Sequence, residues 1–251
     1  MAVATDLKLP GKFAVIVDGL FTPDECSSYI RLAEDENGFM PAGLNTGTSQ
    51  VLCKDVRDCG RWINDDPDLA ATFFERIKSY LPPVAPDSPK YHLVGLNERL
   101  RFLKYTGGQY FKRHYDGTYA RPDCSEESFV TVQIYLNEGF GGGHTTFFNR
   151  AGPIGSVEPK VGRVLIFEHE ILHEGSTVTD GQKYVIRTDV MYSKNPGRKR
   201  DVPSPDELRA RKIFNEAVDA EMEGEPNRAV KLYRSAFKIW PQLEKDSRVV
   251  L

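Results

Sequence analysis

Lys183-Tyr-Val-Ile-Arg-Thr-Asp-Val-Met-Tyr192 is a run of β-branched and aromatic residues, long enough for one strand and without helical spacing. Upstream, Phe129-Val-Thr-Val-Gln-Ile-Tyr-Leu136 and Arg163-Val-Leu-Ile-Phe167 share this character, and Gly, Pro, Asn and Asp turns separate the runs. About eight short strands between Arg99 and Tyr192 predict a sandwich or jelly roll.

Outward from this core the periodicity becomes helical. Thr22-Pro23-Asp24-Glu25 combines an N-cap, a proline at the first helical position and a capping-box acid, opening a helix towards Gly38. Asp66-Pro67 starts a second helix, with Leu69, Phe73 and Ile77 on one face and Pro82-Pro83 as its stop. Residues 38 to 61 and 117 to 128 lack periodicity and are expected to be lids.

After Tyr192, the stretch Ser193 to Pro203 reads as a basic linker. Ser204-Pro205-Asp206-Glu207 then opens a helix to about Glu223, and a second helix carries Ala229, Tyr233, Ala236, Phe237 and Trp240 on one face. The pair resembles a single tetratricopeptide-type unit, which cannot bury its own face alone and so calls for self-docking or a protein partner. The expected organisation is a main domain over 1–196, with helical support in 1–96 and a jelly-roll core in 97–192, followed by a linker and hairpin over 197–251.

Thirty-three Lys and Arg against thirty-six Asp and Glu give a net charge of −3, which disfavours nucleic acid and anionic membranes as partners. No secretory signal or long apolar run stands out, so the expectation is a cytoplasmic chain, with the nucleus left open. Cys26, Cys53, Cys59 and Cys124 form no CxxC pair and are expected to be free thiols.

Only five histidines are present: His92, His114, His144, His169 and His173. In Tyr110-Phe-Lys-Arg-His114-Tyr-Asp116 the imidazole and the carboxylate stand two apart, and on a strand such residues share a face. With His173 downstream they make two histidines and one carboxylate, the facial triad that leaves open positions on Fe(II). Lys183, ten residues on, suits the distal carboxylate of an acidic cosubstrate or a surface position.

These residues, with Arg99 to Tyr110, Val132 to Asn137, Gly142-Gly-His-Thr145-Thr-Phe147, Val157-Glu-Pro159, Gly162 and His173 to Lys183, resemble the prolyl 4-hydroxylase-like branch of the Fe(II)- and 2-oxoglutarate-dependent dioxygenases. The likeness spans about residues 97 to 192 and implies a double-stranded β-helix. It implies that His114, Asp116 and His173 bind iron and carry catalysis, that Lys183 holds 2-oxoglutarate, and that Tyr105, Tyr135 and Thr145 line the cosubstrate pocket. Arg187, on the strand face of Lys183, is a further cosubstrate candidate, although a structural ion pair fits it as well. Arg57, Arg61 and Arg121, in or beside the lids, are candidate grips for a carboxylated substrate.

The implied reaction is hydroxylation of a C–H bond in an amino-acid, peptidyl (first of all prolyl) or small-molecule substrate. It would consume O2 and 2-oxoglutarate and release succinate and CO2, with ascorbate as a candidate reductant. Two other readings stay open. A catalytically idle jelly roll would serve as a scaffold. His169-Glu170-Ile-Leu-His173 satisfies HExxH, which on a helix makes a zinc protease, but here it follows a strand-like run and Gly175 cuts it off.

Overall fold

The structure is a computed structural model that describes residues 2–35, 38–45, 50–121, 123–197, 203–222 and 224–248. In the first third, β1 (Val3–Asp6) and β2 (Ala14–Asp18) precede α1 (Pro23–Asp35). Then come β3 (Met40–Pro41), β4 (Leu44–Asn45), β5 (Gln50–Val51), β6 (Arg57–Asp58), β7 (Gly60–Asp65) and α2 (Pro67–Ile77). The capping box at α1 forms in both directions: Thr22 N–H donates to Glu25 Oε2 at 2.9 Å, and Glu25 N–H to Thr22 Oγ1 at 3.2 Å. Asp66 accepts from Leu69 N–H at 2.9 Å and caps α2, which tightens into a 3-10 turn at Lys78–Tyr80 ahead of the prolines.

β8 (Val84–Ala85), β9 (Ser88–Leu96), β10 (Arg99–Thr106) and β11 (Tyr110–His114) lead into the core. It continues with β12 (Glu127–Tyr135), β13 (Gly141–Gly142), β14 (Thr145–Asn149), β15 (Gly152–Val157) and β16 (Val164–Glu168). β17 (Leu172–Gly175), β18 (Val178–Asp180) and the long β19 (Gln182–Ser193) complete it. The major sheet runs β1-β2-β16-β12-β19-β10-β7-β3, with β9 also on β19 and β8 on β9. The minor sheet runs β15-β14-β17-β11-β6. The two faces of this double-stranded β-helix confirm the mainly β jelly-roll expectation.

The N-terminal segment is a correction to the reading of 1–96 as helical support. It supplies β1, β2, β7 and β9 to the major sheet itself, and Ala14-Val-Ile-Val-Asp18 pairs with β16 in register. The β-branched run favours the extended backbone, and the sheet edge completes its hydrogen bonds. α1 and α2 cover the outer face, where Phe21, Tyr29 and Phe73 meet edge-on at 5.3 to 6.4 Å. The expected lid at 38 to 61 carries short strands, with β6 on the minor sheet and β3 on the edge of the major one; residues 46–49 lie outside the described residues.

Beyond the core lie α3 (Pro205–Met222), α4 (Pro226–Ile239) and α5 (Pro241–Arg248). Ser204 Oγ accepts from Glu207 N–H at 3.1 Å, as the capping pattern requires. Pro241 starts a third helix, because a proline lacks only a donor that the first helical turn leaves free. With Leu243 of α5, the helices enclose a small cluster of Ala210 and Ala236, against which Phe214, Phe237 and Trp240 pack. The hairpin thus buries part of its own apolar face. The linker and the end of the first helix fall partly on residues 198–202 and 223, outside the described residues. No helix among the described residues is long and apolar enough to cross a membrane.

Candidate metal centre and its surroundings

His114 ends β11 and His173 lies on β17, and the two are direct partners across this antiparallel pair. Their rings stand 4.2 Å apart by centroid. Each Nδ1–H donates to a backbone carbonyl two residues back, His114 to Lys112 at 2.7 Å and His173 to Ile171 at 2.9 Å. That fixes the tautomer and turns both Nε2 lone pairs inward. Asp116 sits just beyond the strand end, on an irregular segment, so strand parity does not place it; its N–H donates to the His169 carbonyl at 3.2 Å. The His114 Nε2 lies 3.8 Å from Asp116 Oδ1 and the His173 Nε2 3.7 Å from Oδ2, and the three ligand atoms fall within 4.8 Å of one another. One ion bridging all three satisfies this spacing.

The electrostatics favour the ligand forms. Burial, reinforced by the neighbouring His173, lowers the His114 pKa to about 3, and burial lowers that of His173 as well. Both rings are therefore neutral at pH 7. Burial works against ionisation of Asp116, but the Arg187 guanidinium beside it, the largest of the opposing influences, helps to hold the carboxyl well below its usual range. Arg187 Nη2 lies 3.1 Å from Asp116 Oδ1, and Thr131 Oγ1 donates to Oδ2 at 2.5 Å. The Phe111 ring stacks on His114 at 3.5 Å.

Lys183 lies on β19 and is 3 % exposed. Its Nζ donates to the Gly143 carbonyl at 2.5 Å and lies 5.3 and 5.5 Å from the ring centres of Tyr105 and Tyr135. No carboxylate among the described residues pairs with it. Burial pushes its pKa down to about 7. The glycine turn makes this possible: Gly143 has φ +67°, and a Cβ there would meet Phe140 at 2.9 Å and the Lys183 stem at 3.1 Å. Tyr135 and Thr145 share a buried hydroxyl contact of 2.7 Å, and Gln133 Nε2 donates to the same Thr145 oxygen at 3.0 Å. A buried ammonium, aromatic walls and hydroxyls suit a carboxylate, and the two-histidine, one-carboxylate set suits Fe(II).

The four arginine candidates separate. Arg187 spends its ion pairs on Asp116 and on Asp189, the latter at 3.0 Å. Arg57 stays at the site, 4.7 Å from the centre of the Phe111 ring, with Nε donating to Cys59 Sγ at 3.2 Å. Arg61 is buried on β7 and lines a cavity of about 680 Å³ bordered by β7 and α3. Arg121 is a correction to the lid reading. It is locked between Glu98 at 2.8 Å and Glu126 at 2.6 Å, both almost fully buried, which commits its guanidinium to the fold.

His169 is buried on a turn and not on a helix, with Nε2 3.5 Å from Asp189 Oδ1. His173, four residues on, points to Asp116 from a strand, so HExxH lacks the helical geometry that a zinc protease needs. His92 is exposed. All four cysteines are free, as expected. Three residues of this network escaped the sequence reading: Thr131, Arg101 and Asp189. Strand parity was the available signal, since Thr131 alternates with Gln133 and Tyr135, Arg101 with Tyr105, and Asp189 with Arg187.

Residues 100–188 match the sequence profile of the 2OG-Fe(II) oxygenase superfamily. A curated chain of Acanthamoeba polyphaga mimivirus, whose given name assigns it provisionally to the prolyl 4-hydroxylases, is 26 % identical over 189 residues, covering 68 % of this chain and 70 % of its own. Among solved structures, a Trichoplax adhaerens prolyl hydroxylase in complex with a hypoxia-inducible-factor peptide fragment superposes with a TM-score of 0.56 at 17 % identity, covering 73 % of this chain and 84 % of the other. A Pseudomonas putida prolyl-4-hydroxylase gives 0.51 at 18 % identity, covering 75 % and 91 %. At these identities the structural likeness speaks for the fold.

Proposed function

As a prolyl 4-hydroxylase-like 2OG-Fe(II) oxygenase, this chain is an oxidoreductase with an iron-binding His114-Asp116-His173 site, and we propose that it hydroxylates a C–H bond of a peptidyl or free amino-acid substrate, converting 2-oxoglutarate and O2 into succinate and CO2. A prolyl side chain is the first acceptor to try, by analogy with the relatives. One observation carries the reading: an open metal triad shares its barrel with a buried lysine that has no acidic partner among the described residues. A buried cation that is not offset within the protein is costly and persists where a ligand supplies the missing charge.

In this mechanism the bound Fe(II) supplies the oxidising chemistry, and the chain supplies geometry. The carbonyls of Lys112 and Ile171 orient the imidazoles, while Arg187 and Thr131 hold both oxygens of Asp116. Lys183 receives the far carboxylate of 2-oxoglutarate, and the Tyr105 and Tyr135 rings and the Thr145 hydroxyl shape that pocket. Phe111, Phe147 and Phe167 pack around His114 and His173 and keep bulk water from that side.

The test is succinate formation by anaerobically purified protein supplied with Fe(II), 2-oxoglutarate and O2, with and without prolyl peptides, read together with a gain of one oxygen mass on the acceptor. Absence of succinate under every condition would refute the reading. We propose further that the main domain ends near residue 196 and that the helices of 197–251 rest on it through α3. Asn215 Nδ2, which donates to Asp65 Oδ2 at 3.4 Å, and the cavity shared by β7 and α3 support this. A chain truncated near residue 200 should then lose thermal stability.

A further inference from the structure

Around the metal triad, positive charge exceeds what the described residues neutralise. Arg101 Nη1 lies 3.1 Å from Asp189 Oδ2, and Arg187 bridges the other oxygen of Asp189 to Asp116, so two guanidinium groups share a single non-ligand carboxylate. That carboxylate is 1 % exposed. Arg99 and Arg121, by contrast, are matched by their own acids, Asp65 for the first and Glu98 with Glu126 for the second.

Arg57 stands at the centre of this imbalance. It contacts the same Phe111 ring that stacks on the ligating His114, and Tyr105, whose ring faces Lys183, feels the Arg57 charge. No carboxylate among the described residues lies within ion-pair distance of Arg57. Its hydrogen bond goes to the Cys59 sulfur, at 3.2 Å. The crowding reaches Arg61 and Arg101. Burial first, then Arg57 and Arg101, lower the Arg61 pKa to about 10, and burial with the neighbouring Arg187 and Arg99 lowers that of Arg101.

We propose that the substrate brings a carboxylate to Arg57, next to the C–H bond that reacts, and that Arg57 selects an acidic substrate over a neutral or basic one. This rests on the oxygenase reading and adds the class of substrate to it. Lys183 takes the cosubstrate carboxylate on one side of Tyr105, and Arg57 takes the substrate carboxylate on the other. A guanidinium is suited to the task because its planar fork binds a carboxylate through two parallel hydrogen bonds. The carboxylate can belong to an Asp or Glu side chain in a peptide or to a small amino acid, and the two sources are separable by experiment.

The experiment uses the full chain loaded anaerobically with Fe(II) and 2-oxoglutarate. One arm offers a random-sequence peptide library, and the other offers amino acids with their methyl esters. Bound members are read by mass spectrometry. At least tenfold enrichment is expected for Asp- and Glu-bearing peptides over Lys- and Arg-bearing ones, or for the free acids over their esters, and whichever arm responds identifies the source. Arg57→Gln should abolish the enrichment, and Arg57→Lys, which keeps the charge, should restore part of it. Equal retention of acidic and basic members by the wild-type chain overturns the proposal without any variant. So does enrichment that survives Arg57→Gln, or an effect of Arg57→Gln confined to the Kd of 2-oxoglutarate. Succinate formation by the wild-type chain without added substrate is scored in parallel, so failure of this inference is distinguishable from failure of the oxygenase reading.

Discussion

Replacing Lys183 by Met should make the protein more stable and stop it binding 2-oxoglutarate. Met keeps the unbranched length and removes a buried cation whose pKa falls from 10.5 to about 7. Near pH 7.5 that depression corresponds to about 4 kcal/mol of cost in the folded state, at ~1.4 kcal/mol per pKa unit. Losing the hydrogen bond to the Gly143 carbonyl returns about 1 to 2 kcal/mol of this. A net gain of about 2 to 3 kcal/mol remains, which for a chain of this size raises Tm by about 4 to 12 °C. The sign with pH follows from the lysine binding fewer protons folded than unfolded. The wild type gains stability as pH rises from about 7 towards 10.5, so the advantage of Lys183→Met is full below that window and shrinks through it. Calorimetric unfolding at pH 7 and pH 9.5 measures this, and anaerobic titration of 2-oxoglutarate into the Fe(II)-loaded protein measures the other half. Loss of a buried charge pair should weaken that binding by about 30-fold or more. A destabilised Lys183→Met variant, or one with an unchanged Kd for 2-oxoglutarate, would refute the reasoning.

Thr131→Val removes the hydrogen bond to Asp116 Oδ2 and should weaken Fe(II) binding by about 10- to 100-fold, measured by competition with a chelator. Arg121→Ala removes the guanidinium that Glu98 and Glu126 share in the interior and should cost about 3 to 5 kcal/mol in urea unfolding; an effect on substrate KM with no loss of stability would contradict its structural role. Gly162→Ala should cost about 2 kcal/mol or more in the same assay, since φ is +74° and the new Cβ would stand 2.1 Å from the Phe21 carbonyl oxygen.

The legible part of this protein was what local chemistry dictates. The capping boxes at Thr22 and Ser204, the proline-bounded α2 and the β-branched runs of the core each express a preference of neighbouring residues. The HxD spacing and the downstream histidine were readable because a metal demands particular donors whatever their surroundings. β1 and β2 were missed because a short edge segment gains its hydrogen bonds only from the strand it joins, and α5 because a proline that ends one helix also suits the start of another.

The arginines mark the boundary most clearly. As letters in the sequence, Arg57, Arg61, Arg121 and Arg187 are equally basic; packing makes Arg121 a structural pin, gives Arg187 the metal-binding carboxylate to hold and leaves Arg57 beside His114 with no acid of its own among the described residues. The sequence by itself determined the donor set, the β-rich core and the helix starts, because those depend on residue type and on neighbours a few positions away. Only the tertiary structure decided which charges meet. An ion pair depends on distances between chain segments far apart in sequence, and at those distances a few ångströms separate a strong interaction from none.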